Sequence, residues 1–139
     1  MNLRKNIILL SILILSLLLI KAPITFGQTV SEEVKKAFQA ANADKLSNHF
    51  GNTLRINIPG IDTQCTREEA RDEMNNFFTD HQVKNFEIKF KGEKNNSNFL
   101  IGTLYTGKGT YRVNLFFRKS GGGNYIHLLR IDKEYGSEF

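Results

Sequence analysis

Residues 66–90 read TREEARDEMNNFFTDHQVKNFEIKF, and a change of period within them decides the fold. Thr66 followed by Glu69 forms a capping box, in which each side chain satisfies an N–H that the first turn of a helix leaves open. Ala70, Met74, Phe77, Phe78 and His81 then fall on one helical face. From Phe86 the spacing drops to two. Phe86, Ile88 and Phe90 alternate with Glu87, Lys89 and Lys91, as in a strand with one face buried.

Downstream the period stays at two. A loop over Gly92–Asn98 separates this strand from Phe99–Thr106; Gly107-Lys108-Gly109 leads to Tyr111–Lys119, and Ser120–Gly123 to Tyr125–Lys133. Four strands joined by short Gly- and Asn-rich connections predict an antiparallel meander. Upstream, Leu54, Ile56 and Ile58 alternate with Arg55 and Asn57 up to a Pro59-Gly60 turn, and a brief return strand runs from Ile61 to Cys65. Before these, Val30, Val34, Ala37, Phe38 and Ala41 make the apolar stripe of a helix over 30–41, with Thr29 and Glu32 as its capping box. Asp44 is the expected N-cap of a short second helix carrying Leu46 and Phe50. Three helices written around a hairpin and before a meander give an α+β domain, with the helices packed on one face of the sheet.

The N-terminus has a different character. Arg4 and Lys5 precede an apolar run from Ile7 to Ile20, broken only by Ser11 and Ser16. The run is shorter than the roughly 20 apolar residues that span a bilayer, and Lys21 and Pro23 end it. It reads as a secretory signal over residues 1–27, with small residues placed for cleavage between Gly27 and Gln28. The expected mature protein is periplasmic or secreted, with no membrane span after cleavage. The only cysteine, Cys65, is too far along for lipoprotein processing and excludes an internal disulfide. Arg4, Lys5 and Lys21 leave with the signal, so the net charge of +5 falls to +2. No basic face for nucleic acid remains. About 110 residues are left, enough for one core: a domain over 28–135 and a frayed tail over 136–139.

Five strings carry a family resemblance: AFQAANADKLSNHF (37–50), TREEARDEMNNFF (66–78), KNFEIKFKG (84–92), FLIGTLYTGKGTYRVNLFFRK (99–119) and YIHLLRID (125–132). They resemble the DUF4783 family of exported Bacteroidetes proteins, within the NTF2-like (cystatin-like) superfamily. The resemblance implies a cone, in which a curved sheet wraps the long helices and the open mouth can hold a ligand. Some members pair through the outer face of the sheet. Enzymes of the superfamily, such as ketosteroid isomerases, use a carboxylate base inside the cone with a tyrosine or acid as oxyanion donor. The expected inner face here is Phe86, Ile88, Phe90, Tyr111, Val113, Leu115 and Phe117, and it carries no Asp or Glu.

The chemistry-bearing residues are few. His127 alternates with Tyr125, Leu129 and Ile131, so it either projects into the cone as a base or sits as a satisfied histidine at the margin of the core. With Tyr105 and Tyr111 it makes the candidate pocket. Phe116, Ile126 and Leu128 fall out of phase with the inner residues and form the candidate dimer face. His81 is the expected C-terminal cap of its helix, and His49 invites the same reading. Cys65 is either a thiol activated by the helix that follows or, more ordinarily, the residue that packs against Ala70 before the capping box. No spacing among histidines and cysteine suits a metal, and no cofactor is implied. The expectation is a non-catalytic module that binds a small apolar or amphipathic ligand or a partner protein. The alternatives are a cofactor-independent isomerase or cyclase with His127 as base, and an accessory subunit that pairs through its sheet.

Overall fold

The computed structural model describes residues 2–17 and 26–136. Its elements are α1 (Asn2–Leu17), α2 (Phe26–Gln39), α3 (Ala43–Ser47), β1 (Phe50–Ile58), β2 (Ile61–Thr66), α4 (Arg67–His81), β3 (Val83–Lys94), β4 (Ser97–Thr106), β5 (Gly109–Ser120) and β6 (Gly123–Lys133). The domain is α+β, as expected. Six strands form one curved, unclosed sheet in the order β2-β1-β6-β5-β4-β3. The meander and the β1–β2 hairpin are antiparallel, and the two blocks join where β6 runs parallel to β1. Helices α2, α3 and α4 pack on the concave side.

The best-signalled helix forms as the sequence dictates. Thr66 accepts from Glu69 N at 3.2 Å while Glu69 accepts from Thr66 N at 2.9 Å, so both halves of the capping box are made. Its far end closes on Gln82 in the left-handed region, φ 53°. The β4–β5 turn locks that end further, because Gly107 N donates to both His81 O and Gln82 O.

Several local expectations change. Thr29 lies inside α2, so it is not an N-cap, a position that needs extended backbone. The helix ends at Gln39, where Asn42 N donates to Ala37 O and Ala41 N to Phe38 O, a Schellman closure with Ala41 at φ 50°. The N-cap of α3 is Asn42, whose side chain accepts from Lys45 N, and Asp44 is in the first turn. Phe50 begins β1 rather than ending α3. The expected 92–98 loop is a two-residue turn, with Asn95 and Asn96 at φ 52° and 60° and Lys94 paired to Ser97. Residues 137–139 of the expected tail at 136–139, and the junction at Lys21 and Pro23, lie outside the described residues. The apolar run as far as Leu17 lies in α1, exposed on every side from Leu3 to Leu15; no helix among the described residues is long and apolar enough to cross a membrane.

The interior is filled from end to end by aromatic rings. Phe86 stacks on Phe38 at 4.5 Å, Phe38 meets Phe78 edge-on at 5.7 Å, and Phe78 leans on Phe77 at 6.3 Å. Phe77 then stacks on His81 at 3.9 Å and meets Tyr111 edge-on at 5.6 Å. Leu54, Ile56, Met74, Leu100, Leu104, Leu115, Ile126 and Leu129 complete a core with essentially no exposure.

Candidate functional site

The three residues expected to share a pocket lie apart. Tyr105 pairs with Thr110 while Leu104 pairs with Tyr111, so the two tyrosines point to opposite faces. Tyr111 is buried on the concave side, and Tyr105 lies on the outer side, donating to Glu87 Oε2 at 3.2 Å. His127 is displaced by a bulge. Phe117 pairs with Ile126 but Phe116 with Leu128, which leaves His127 as an extra residue of β6. Its ring is half-buried beside Arg118, and its Nδ1 is buried without a hydrogen-bond partner. Burial, and then Arg118, push its pKa below 6.5.

The same bulge rewrites the expected dimer face. Ile126 is fully buried and belongs to the core, whereas Phe116 and Leu128 stay on the outer side. A second bulge, at Lys89, moves Phe90 in the other direction. Ile88 pairs with Gly102 and Phe90 with the outer residue Ile101, so Phe90 leaves the expected inner face and is 58% exposed. Its ring stacks on Phe99 at 5.8 Å, and Phe99 lies 6.4 Å from Phe116. Phe99 covers Gly92, where any Cβ would lie 2.5 Å from the ring. The outer face therefore carries an aromatic row across β3, β4 and β5 that simple alternation hides.

A second surface opens on the concave side between α2 and the β5–β6 turn. Asn98 pairs with Phe117 and Lys119 with Asn124, so four side chains from β4, β5 and β6 share that side beyond the filled core. With Val30 and Ser31 of α2 and the Gly122-Gly123 turn they line a cleft of about 270 Å³. Asn124 Oδ1 is buried and has no hydrogen-bond partner. None of these residues is a candidate on sequence grounds; the Gly121-Gly122 turn is the available signal, since a two-residue turn there sets Lys119 opposite Asn124.

A family model described as a domain of unknown function, DUF4783, matches residues 31–132. The chain belongs to the DUF4783 family. It is 34% identical to a DUF4783 protein of Bacteroides ovatus over 74% of this chain and 94% of that one, with a TM-score of 0.71. A second, from Bacteroides uniformis, is 36% identical over 75% and 96%, also at 0.71. An NTF2-like protein of unknown function from Cytophaga hutchinsonii is 16% identical over 83% and 95% at a TM-score of 0.56, so it shares the fold alone. The chain thus has an NTF2-like fold. No curated protein matches the chain.

The remaining candidates of this DUF4783 domain have structural partners. His81 is the last residue of α4 and not its C-cap, which is Gln82; its Nδ1 donates to Phe77 O at 2.8 Å. His49 does not cap α3, whose C-cap is Asn48; its Nε2 lies 3.3 Å from Glu33 Oε2. Burial lowers the His49 pKa, and Glu33 offsets this only in part. Cys65 is buried, its Sγ 3.7 Å from Leu54 O, and burial, then Glu69 and Glu73, push its thiol up. That is the opposite of activation. Among the described residues no three His, Cys, Asp or Glu side chains gather to hold a metal.

Proposed function

We propose that this protein is an exported, non-catalytic interaction module whose working surface is the outer face of its sheet. The observation that carries the reading is the row Phe90, Phe99 and Phe116, in which the exposed Phe90 stacks on Phe99 and the partly exposed Phe99, Phe116, Leu128 and Ile101 continue the apolar surface. Apolar area left in water forgoes about 25 cal/mol per Å², and a contiguous patch of this kind marks a surface that another molecule covers.

The charges around the row select the partner. Glu87, Asp132 and Asp62 already pair with Lys89 at 2.6 Å, Arg130 at 2.7 Å and Arg55 at 2.9 Å. Arg112 and Arg118 have no ion-pair partner among the described residues. A twofold dimer would set this patch against itself and bring arginines toward arginines. A partner with an apolar centre and an acidic rim suits the face better. The interior supports the non-catalytic part of the reading. Acid–base chemistry needs a titrating group beside room for a substrate, and among the described residues the buried core carries no Asp, Glu or His. Export rests on the Arg4-Lys5 cluster and the apolar run; the expected product begins at Gln28, which N-terminal sequencing of the mature protein checks.

The test replaces Phe99, at the centre of the row, by a photo-crosslinking residue in the native host. Crosslinks to one acidic partner should vanish in Phe90→Glu/Phe116→Glu and weaken in Arg112→Glu and at high salt. Sedimentation should show a monomer at high micromolar concentration. A reversible dimer broken by the same substitutions would transfer the face to self-association, and crosslinks indifferent to all of them would remove it from function.

A further inference from the structure

Removal of the signal sets where the mature chain begins, and the fold sets what that end is attached to. Helix α2 runs through Gln28, so a cut between Gly27 and Gln28 takes Phe26 and Gly27 from its first turn and makes Gln28 the leading residue. Thr29 is exposed, while Val30 packs against the core, Ser31 is buried, and Val34, Ala37 and Phe38 have almost no exposure. The new terminus therefore stands just ahead of the packed part of the helix, next to a residue that solvent reaches. Its α-ammonium lies at the positive end of the helix dipole, and residues 28–31 carry no acid to offset it. That position disfavours the ammonium and leaves more of the amine in its neutral, nucleophilic form.

We infer that Gln28 of the mature protein is cyclised to pyroglutamate, a modification that rests on the proposed export and on its cut site. The neutral α-amine attacks Cδ, the amide carbon of the same residue's side chain. A bond forms between the α-nitrogen and Cδ and closes a lactam, the Cδ–Nε2 bond breaks, and ammonia leaves with the proton that the amine gives up. Atoms balance with no oxidant, reductant or co-reactant. The lactam takes the unfavourable charge off the helix end. It also removes the free amine that aminopeptidases require, which matters to a protein outside the cytoplasm. Trimming of an open terminus need pass only Gln28 and Thr29 before it reaches Val30 and Ser31 and begins to strip the face of α2 that covers the core.

The experiment expresses the full chain in its native host and measures, directly after harvest, the intact mass and the N-terminal fragment ions of the exported protein. The chain should begin at residue 28 and be lighter than its sequence by about 17 Da, the mass of ammonia, with the loss confined to Gln28. Stepwise chemical degradation should return no residue until a pyroglutamyl peptidase removes the ring, and should then start at Thr29. Gln28→Ala should show its full mass and an open amine, and a broad-specificity aminopeptidase should trim it while leaving the wild type whole. The wild-type mass decides the matter even where Gln28→Ala is not processed. A chain that begins at Met1 overturns the export reading and this inference with it. A start at any other residue overturns the cut site, and a start at Gln28 with the full mass and a free amine overturns the cyclisation alone.

Discussion

Gly102→Ala should destabilise the domain through a single ring. Gly102 sits on β4 between Ile88 and Val113, on the concave side of the sheet. A Cβ built there lies 2.3 Å from Cζ and 2.6 Å from Cε2 of Phe86, and 2.9 Å from the backbone oxygen of Glu87. The ring has nowhere to retreat. Phe86 is fully buried, and its stacking partner Phe38 stands 4.5 Å away with Phe78 behind it. Overpacking of this kind costs about 1–3 kcal/mol, while replacing a strand glycine returns about 0.5–1 kcal/mol through the unfolded chain. The expected net loss is about 1–2 kcal/mol, or roughly 4–16 °C in the thermal midpoint of a domain this size. Urea melts of Gly102→Ala, Phe86→Leu and the double variant form a cycle. The smaller leucine makes room for the methyl group, so the double variant should lose at least about 0.5 kcal/mol less than the sum of the singles. A single variant as stable as wild type, or additive losses, would refute the account of Phe86 as an immovable lid on Gly102.

Three further outcomes follow from the same structure. Ala41→Gly should stabilise by about 0.5–1 kcal/mol, since Ala41 occupies the left-handed position of the α2 closure that glycine prefers; chemical denaturation checks the sign. Ile126→Glu should prevent folding and Leu128→Glu should be tolerated, because the bulge at His127 sends the first into the core and leaves the second partly exposed; circular dichroism of both distinguishes this from strict alternation. Burial lowers the His127 pKa in the folded state, so the unfolded chain takes up the proton first as pH falls. Stability should therefore decline as pH drops below about 6.5, and His127→Gln should flatten that decline in melts run across pH, with the remaining slope carried in part by His49.

The elements with strong local signals were legible. The Thr66–Glu69 box, the stripe through Phe77 and Phe78, and the switch to period two at Phe86 each act within a few residues, so the α+β order could be read from them. The faces were harder, because alternation counts residues while a bulge adds one without any compositional mark. Lys89 and His127 are such insertions, and they account for Phe90 being expected inside and Ile126 outside. Tyr105 and Tyr111 were separable in principle. A two-residue turn at Gly107-Lys108 pairs Thr106 with Gly109 and fixes the tyrosines on opposite faces, but that needs the register across the hairpin. The cleft was out of reach for a related reason: Asn98, Lys119 and Asn124 meet only after three strands have aligned.

The position of β6 constrains how this chain can be made. The last strand in sequence is an interior strand of the sheet, inserted between β1 and β5. Until it emerges, the β1–β2 hairpin and the β3–β5 block are two fragments, each exposing a row of unpaired backbone groups. Synthesis of the domain therefore passes through a stage in which five of its six strands are made and the sheet is still in two parts, and closure waits for β6. A ribosome that stalls before Tyr125 releases a product with two adhesive edges and no route to the native state.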